Sequence, residues 1–156
     1  MEQRDYILRE IVKIGTVINA FRHKIFGRSG NVAITFDNQI ANSKGMLSEE
    51  MNFDLDMFLD LNTEALNEYI LGFDGFNIEN IELFADTLSQ IGFDDNCGNP
   101  RLYLEKAVQL YELCNLKSKT FSFEREAKIK AINNKICSTV MLVDFNNAFA
   151  SNATCS

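Results

Sequence analysis

The sequence has one proline (Pro100), no tryptophan, one histidine (His23) and only eight glycines in 156 residues. All-β domains turn every few residues and draw on Gly and Pro to do so, so this scarcity argues for long helices. The four cysteines, Cys97, Cys114, Cys137 and Cys155, form no Cys-x-x-Cys pair. With His23 they are too scattered for a zinc-ligand spacing. That pattern predicts free, reduced thiols and with them a cytoplasmic location. No window approaches the roughly 20 uninterrupted apolar residues of a membrane span. Glu2 and Asp5 interrupt the first residues, so no signal peptide is expected. The Gly-rich phosphate loops and the Gly-x-Ser-x-Gly elbow are also missing from the sequence.

What is present is the ordinary mix of a globular protein: 46% hydrophobic and 24% charged residues. The length suffices for one domain with its own core. We expect a single helical domain over 1–148 and a frayed tail over 149–156. The formal charge of −7 excludes a dedicated nucleic-acid binder, which needs surplus Lys and Arg to neutralise phosphates. The charge is also uneven. Residues 29–99 carry fourteen acidic side chains against the single Lys44, while both ends are net positive. A compact fold can set that acidic middle against its own basic ends.

Periodicity supplies the elements. Ile7, Ile11, Ile14, Ile18, Phe21 and Ile25 are spaced 4, 3, 4, 3, 4 and predict a helix over 5–27 with one buried stripe. A weaker helix over 31–44 is expected to end at Gly45. Residues 53–61 alternate Phe, Leu and Met with Asp54, Asp56 and Asp60, and fit either a short helix or an extended stretch. Asn62 or Thr63 is placed to cap a helix to about Leu71, and Asn77 one to about Ile91. Asn99-Pro100 reads as an N-cap followed by proline in the first turn, opening a helix to about Leu116. Ser122 starts a last helix to about Asn147; its β-branched run Thr139–Val143 would as a strand have no partner.

Two resemblances follow from these residues. Residues 78–116, with Ala107, Tyr111 and Cys114 spaced 4 and 3 on the second helix, resemble a tetratricopeptide-type helical hairpin. More of the chain, most of 1–136, resembles a family of short bacterial proteins of unknown function. The residues that carry this are Asp5-Tyr6-Ile7, Leu104–Ala107 with Leu110–Glu112, and Thr120–Arg125. The resemblance implies an all-helical, tetratricopeptide-like fold and supplies no catalytic residues.

Candidate sites are weighed against plain structural roles. His23 sits near the end of the first helix with no carboxylate or nucleophile placed beside it, and reads as a surface histidine at a helix C-terminus. Asp94, Asn96 and Glu105 have positions 1, 3 and 12 of a calcium loop, but position 6 is Asn99 where the sharp turn needs glycine, so a solvated loop is expected. Asp54, Asp56 and Asp60, with Glu49 and Glu50, form an acidic segment that reads first as a solvated face.

The expected fold is therefore all-α: an antiparallel bundle of about six to seven helices with a tetratricopeptide-like hairpin. The expected function is non-enzymatic protein–protein contact, with Asp54, Asp56 and Asp60 as the partner-binding residues and no cofactor or metal. A second copy of the chain is one candidate partner. The alternatives are a carboxylate-dependent metal or small-molecule enzyme using the acidic 29–99 segment, and a membrane-surface protein anchored by the 5–27 helix. Burial of the 5–27 stripe is favoured over membrane contact, because most amphipathic helices pack within their own chain.

Overall fold

The computed structural model describes residues 2–27 and 34–146, with 139–146 described by backbone alone. The expected tail, 149–156, lies outside the described residues, as does the start of the helix expected over 31–44. Among the described residues there are seven helices and no strand: α1 (Glu2–Phe26), α2 (Phe36–Met51), α3 (Leu55–Asp60), α4 (Thr63–Leu71), α5 (Ile78–Phe93), α6 (Pro100–Ser118) and α7 (Phe123–Asn146). The chain is an all-α protein of the expected class. It forms two compact units, residues 1–120 with α1 to α6 and residues 121–156 with α7.

Local chemistry sets most boundaries. Asn62 and Asn77 cap α4 and α5, their Oδ1 atoms accepting from Ala65 N at 2.8 Å and Asn80 N at 2.9 Å. Asp54 does the same for α3, accepting from Met57 N at 3.0 Å, which makes the ambiguous 53–61 stretch a short helix. Ser122 Oγ accepts from Arg125 N at 3.2 Å before α7, and the Thr139–Val143 run is helical.

Two expectations fail. Gly45 does not end α2, which continues to Met51 and closes on Asn52 in the left-handed region (φ 55°). Gly45 faces open space, whereas Leu47 and Met51 beyond it are buried. A mid-helix glycine costs about 1 kcal/mol, and burying each of those side chains contributes about 1.5–3 kcal/mol, so burial wins. Asn99 stands at the start of α6 with Pro100 in the first turn as expected, but its side chain makes no capping bond and its backbone (φ −138°, ψ 66°) is not the usual cap geometry.

The contacts between helices give the bundle its direction. Gly92 lies against Leu104, Tyr111 bonds Asp86, and Cys114 reaches the Ile78 carbonyl, so α5 and α6 are an antiparallel hairpin. Gln39 bonds the Lys24 carbonyl and Phe26 meets Phe36 at 5.8 Å, turning α2 back along α1. In contrast α1 and α5 run the same way: Ile11 and Gly15 face Asn80, and Arg22 bonds Gln90. The core includes an aromatic cluster that joins α3, α4 and α5. Phe53 sits at its centre, with Phe58, Tyr69, Phe73, Phe76 and Phe84 within 6.0 Å.

Cysteine usage differs from the expectation at one position. Cys97 and Cys114 are buried thiols, but Cys137 is disulfide-bonded. Thiols therefore do not single out a reducing compartment. Among the described residues no helix is long and apolar enough to cross a membrane.

Candidate functional site

The long stripe of α1 splits in two. Ile14, Ile18, Phe21 and Ile25 are buried as expected, joined by Val17. Ile7, at the other end of the stripe, is 36% exposed and Ile11 is only half-buried. Around them Tyr6 (46%), Leu8 (51%) and Val12 (67%) are also exposed. The first turns of α1 thus carry exposed apolar side chains on several faces. A helix that is apolar on several sides belongs against another surface. Leu8, Arg9, Val12 and Lys13 line an open depression of about 380 Å³ on this segment.

The segment is anchored at a polar joint. Asn80, only 7% exposed, donates from Nδ2 to the carbonyls of Ile11 and Gly75, both at 2.8 Å. Two glycines make the approach fit. A Cβ at Gly15 would lie 2.9 Å from Asn80 Oδ1. One at Gly75 would collide with the Glu10 carbonyl and lie 2.7 Å from Ile14 Cδ1. The joint marks where the packed part of α1 gives way to the exposed part. Sequence reasoning missed it, although two signals exist. Asn80 is a polar residue in register with Phe84 and Leu88 on the apolar face of α5, and Gly15 is a glycine inside a strong helix.

The acidic trio is solvent-exposed, on or beside α3. Asp54 is occupied by capping, and its N–H donates to Tyr69 Oη at 2.9 Å. Asp56 pairs with Lys44 at 2.6 Å. Asp60 ends the helix. In the 94–105 segment, Asp94 accepts from Asn96 N at 2.9 Å, and Glu105 pairs with Arg101 at 2.7 Å. Gly98 N bonds Asp37 at 3.0 Å, tying the loop to α2. Among the described residues no three His, Cys, Asp or Glu side chains are grouped to hold a metal ion. His23 is exposed in the last turn of α1, beside an open depression of about 700 Å³ that it lines with Asn19, Arg22 and Phe26.

The groups with displaced pKa values have structural work. Burial, then the bond to Asp86, pushes the Tyr111 phenol far up. Burial raises Tyr103 to about 12 and also raises the Cys97 thiol. Burial lowers Lys106, whose ammonium caps the Leu61 carbonyl after α3.

The fold and surface define an all-α helical protein with an exposed apolar arm on α1. No protein family, curated protein or solved structure matches the chain.

Proposed function

We propose that this chain is a non-enzymatic protein-interaction module whose contact surface is the N-terminal part of α1. The observation that carries the reading is the exposure of Tyr6, Ile7, Leu8 and Val12 on one rigidly anchored helix. Apolar side chains clustered this way on a helix end are a contact surface in search of a partner. On this reading the α5–α6 hairpin is a scaffold of tetratricopeptide-like kind, with the small Ala107 allowing close helix approach, and is not a peptide groove. Peptide-binding grooves of that kind come from stacking several repeats, and this chain has sequence for one such hairpin. The proposal also moves the contact from the acidic trio to α1, since Asp54 and Asp56 already serve α3 and Lys44.

The test is affinity capture from cells with two baits, the wild-type chain and Leu8→Asp/Val12→Asp. Both substitutions are at exposed sites, so the variant should melt like wild type. The expected result is a partner held by wild type and lost by the variant. The same proteins recovered by both baits would reject the surface.

A further inference from the structure

The exposed arm of α1 carries a charge pattern as well as apolar side chains. Glu2, Asp5, Arg9 and Lys13 are spaced 3, 4 and 4, so they form one outward row. Its first half is acidic and its second half basic. Leu8 and Val12 lie on the adjoining strip, and both strips face away from the buried Ile14–Ile18 side. All six of these residues are exposed.

A row split in this way is complementary to itself in one orientation only. Set antiparallel, Asp5 meets the second copy's Arg9 and Glu2 meets the second copy's Lys13. The Asp5–Arg9 pair centres on Ile7 and the Glu2–Lys13 pair between Ile7 and Leu8, so one two-fold axis near Ile7 serves both and brings the two Leu8 side chains near each other. Set parallel, Asp5 faces Asp5 and Arg9 faces Arg9, and like charges oppose pairing. Lys13 now pairs with Glu10 at 3.1 Å across an exposed turn, a weak contact that a second copy can replace.

We propose that the arm's occupant is a second copy of this chain, joined through an antiparallel α1–α1 seam built on Leu8 and Val12 and flanked by Asp5–Arg9 and Glu2–Lys13 pairs. The proposal rests on the α1 contact surface argued above and names its partner. The same charges disfavour a lipid surface. Residues 2–13 hold three acidic and three basic side chains, so anionic headgroups find no net attraction. The seam is isologous, as a two-fold dimer requires. Three turns of helix bury much less than the roughly 1,200 Å² of a standard interface, so the dimer is weak and concentration-dependent.

Sedimentation equilibrium of the purified full chain over a wide concentration range tests this. Wild type is expected to shift reversibly from monomer to dimer. Arg9→Glu should raise the dimer dissociation constant about tenfold or more, because each symmetric attraction becomes a repulsion. The double swap Asp5→Arg/Arg9→Glu restores opposite charges and should recover dimerisation. Unchanged melting curves establish that each variant is folded. A wild-type chain that stays monomeric at every concentration overturns the proposal, as does a dimer indifferent to Arg9→Glu or not rescued by the swap. Wild type binding vesicles of phosphatidylcholine with phosphatidylserine while staying monomeric in solution would assign the arm to lipid. If the chain is monomeric but the Leu8→Asp/Val12→Asp bait still loses a captured partner, only the self-pairing falls and the contact surface stands.

Discussion

Replacing Asn80 by alanine probes the joint that holds α1 against α5. The substitution removes two hydrogen bonds from Nδ2, to the Ile11 and Gly75 carbonyls, each at 2.8 Å. Each contributes about 0.5–1.5 kcal/mol net. The Ile11 carbonyl lies within α1 and keeps its helical role, but Gly75 is buried, and an orphaned buried acceptor adds about 1–3 kcal/mol. We therefore expect a loss of about 2–4 kcal/mol, read as a lower urea midpoint by circular dichroism at an unchanged slope. Gly15→Ala supplies the internal control. In wild type the new methyl presses on Asn80 Oδ1 at 2.9 Å and offsets the helix propensity gained. In the Asn80→Ala background that space is empty, so the same methyl should stabilise by up to about 1 kcal/mol. Asn80→Asp should be worse than alanine, because it aims a buried carboxylate at two carbonyls. Its folded-state pKa would be raised, so its penalty should grow as pH rises through the carboxylate range. An Asn80→Ala loss below about 0.5 kcal/mol, or a Gly15→Ala effect equal in both backgrounds, would refute this account of the joint.

The split of α1 predicts opposite outcomes for the same chemistry: Ile14→Asp should cost more than about 3 kcal/mol by chemical denaturation, and Ile7→Asp should stay within about 0.5 kcal/mol. Similar losses at both positions would contradict the exposure of the first turns. Asn77→Ala should cost about 1 kcal/mol as a lost cap, while Asn99→Ala, which loses no capping bond, should fall within about 0.5 kcal/mol, both read from melting curves. Tyr103 and Tyr111 have folded-state pKa values raised above the ordinary 10.0. Their contribution is fully present below pH 10 and declines as pH rises through the folded values, so denaturation series should show stability falling above pH 10, more steeply in wild type than in Tyr103→Phe/Tyr111→Phe.

The helices were legible because their signals are local. Asn62, Asn77 and Ser122 each precede an apolar run, and each accepts the capping bond at its helix start, Asn62 and not Thr63 doing so for α4. Gly45 misled because its own propensity is local, whereas the burial of Leu47 and Met51 that overrides it is set by tertiary packing. Asn99 shows the reverse: the start was right, but a backbone at ψ 66° turns the expected cap away. The α1 stripe has the periodicity of one buried face, but periodicity reports which side of a helix is apolar and cannot report where its neighbour ends. The Asn80 joint depends on Gly15 meeting Gly75 and Asn80 from far along the chain, and no spacing rule brings α1 to them. The acidic trio was visible as composition, but its occupation by a cap and by Lys44 was not.

Amide hydrogen exchange at several protein concentrations reads the α1 surface most directly. Amides over residues 5–13 should exchange more slowly as concentration rises, while the buried part of α1 and the α5–α6 hairpin are unchanged. Exchange over 5–13 that is independent of concentration, or protection that appears on another helix, would contradict it.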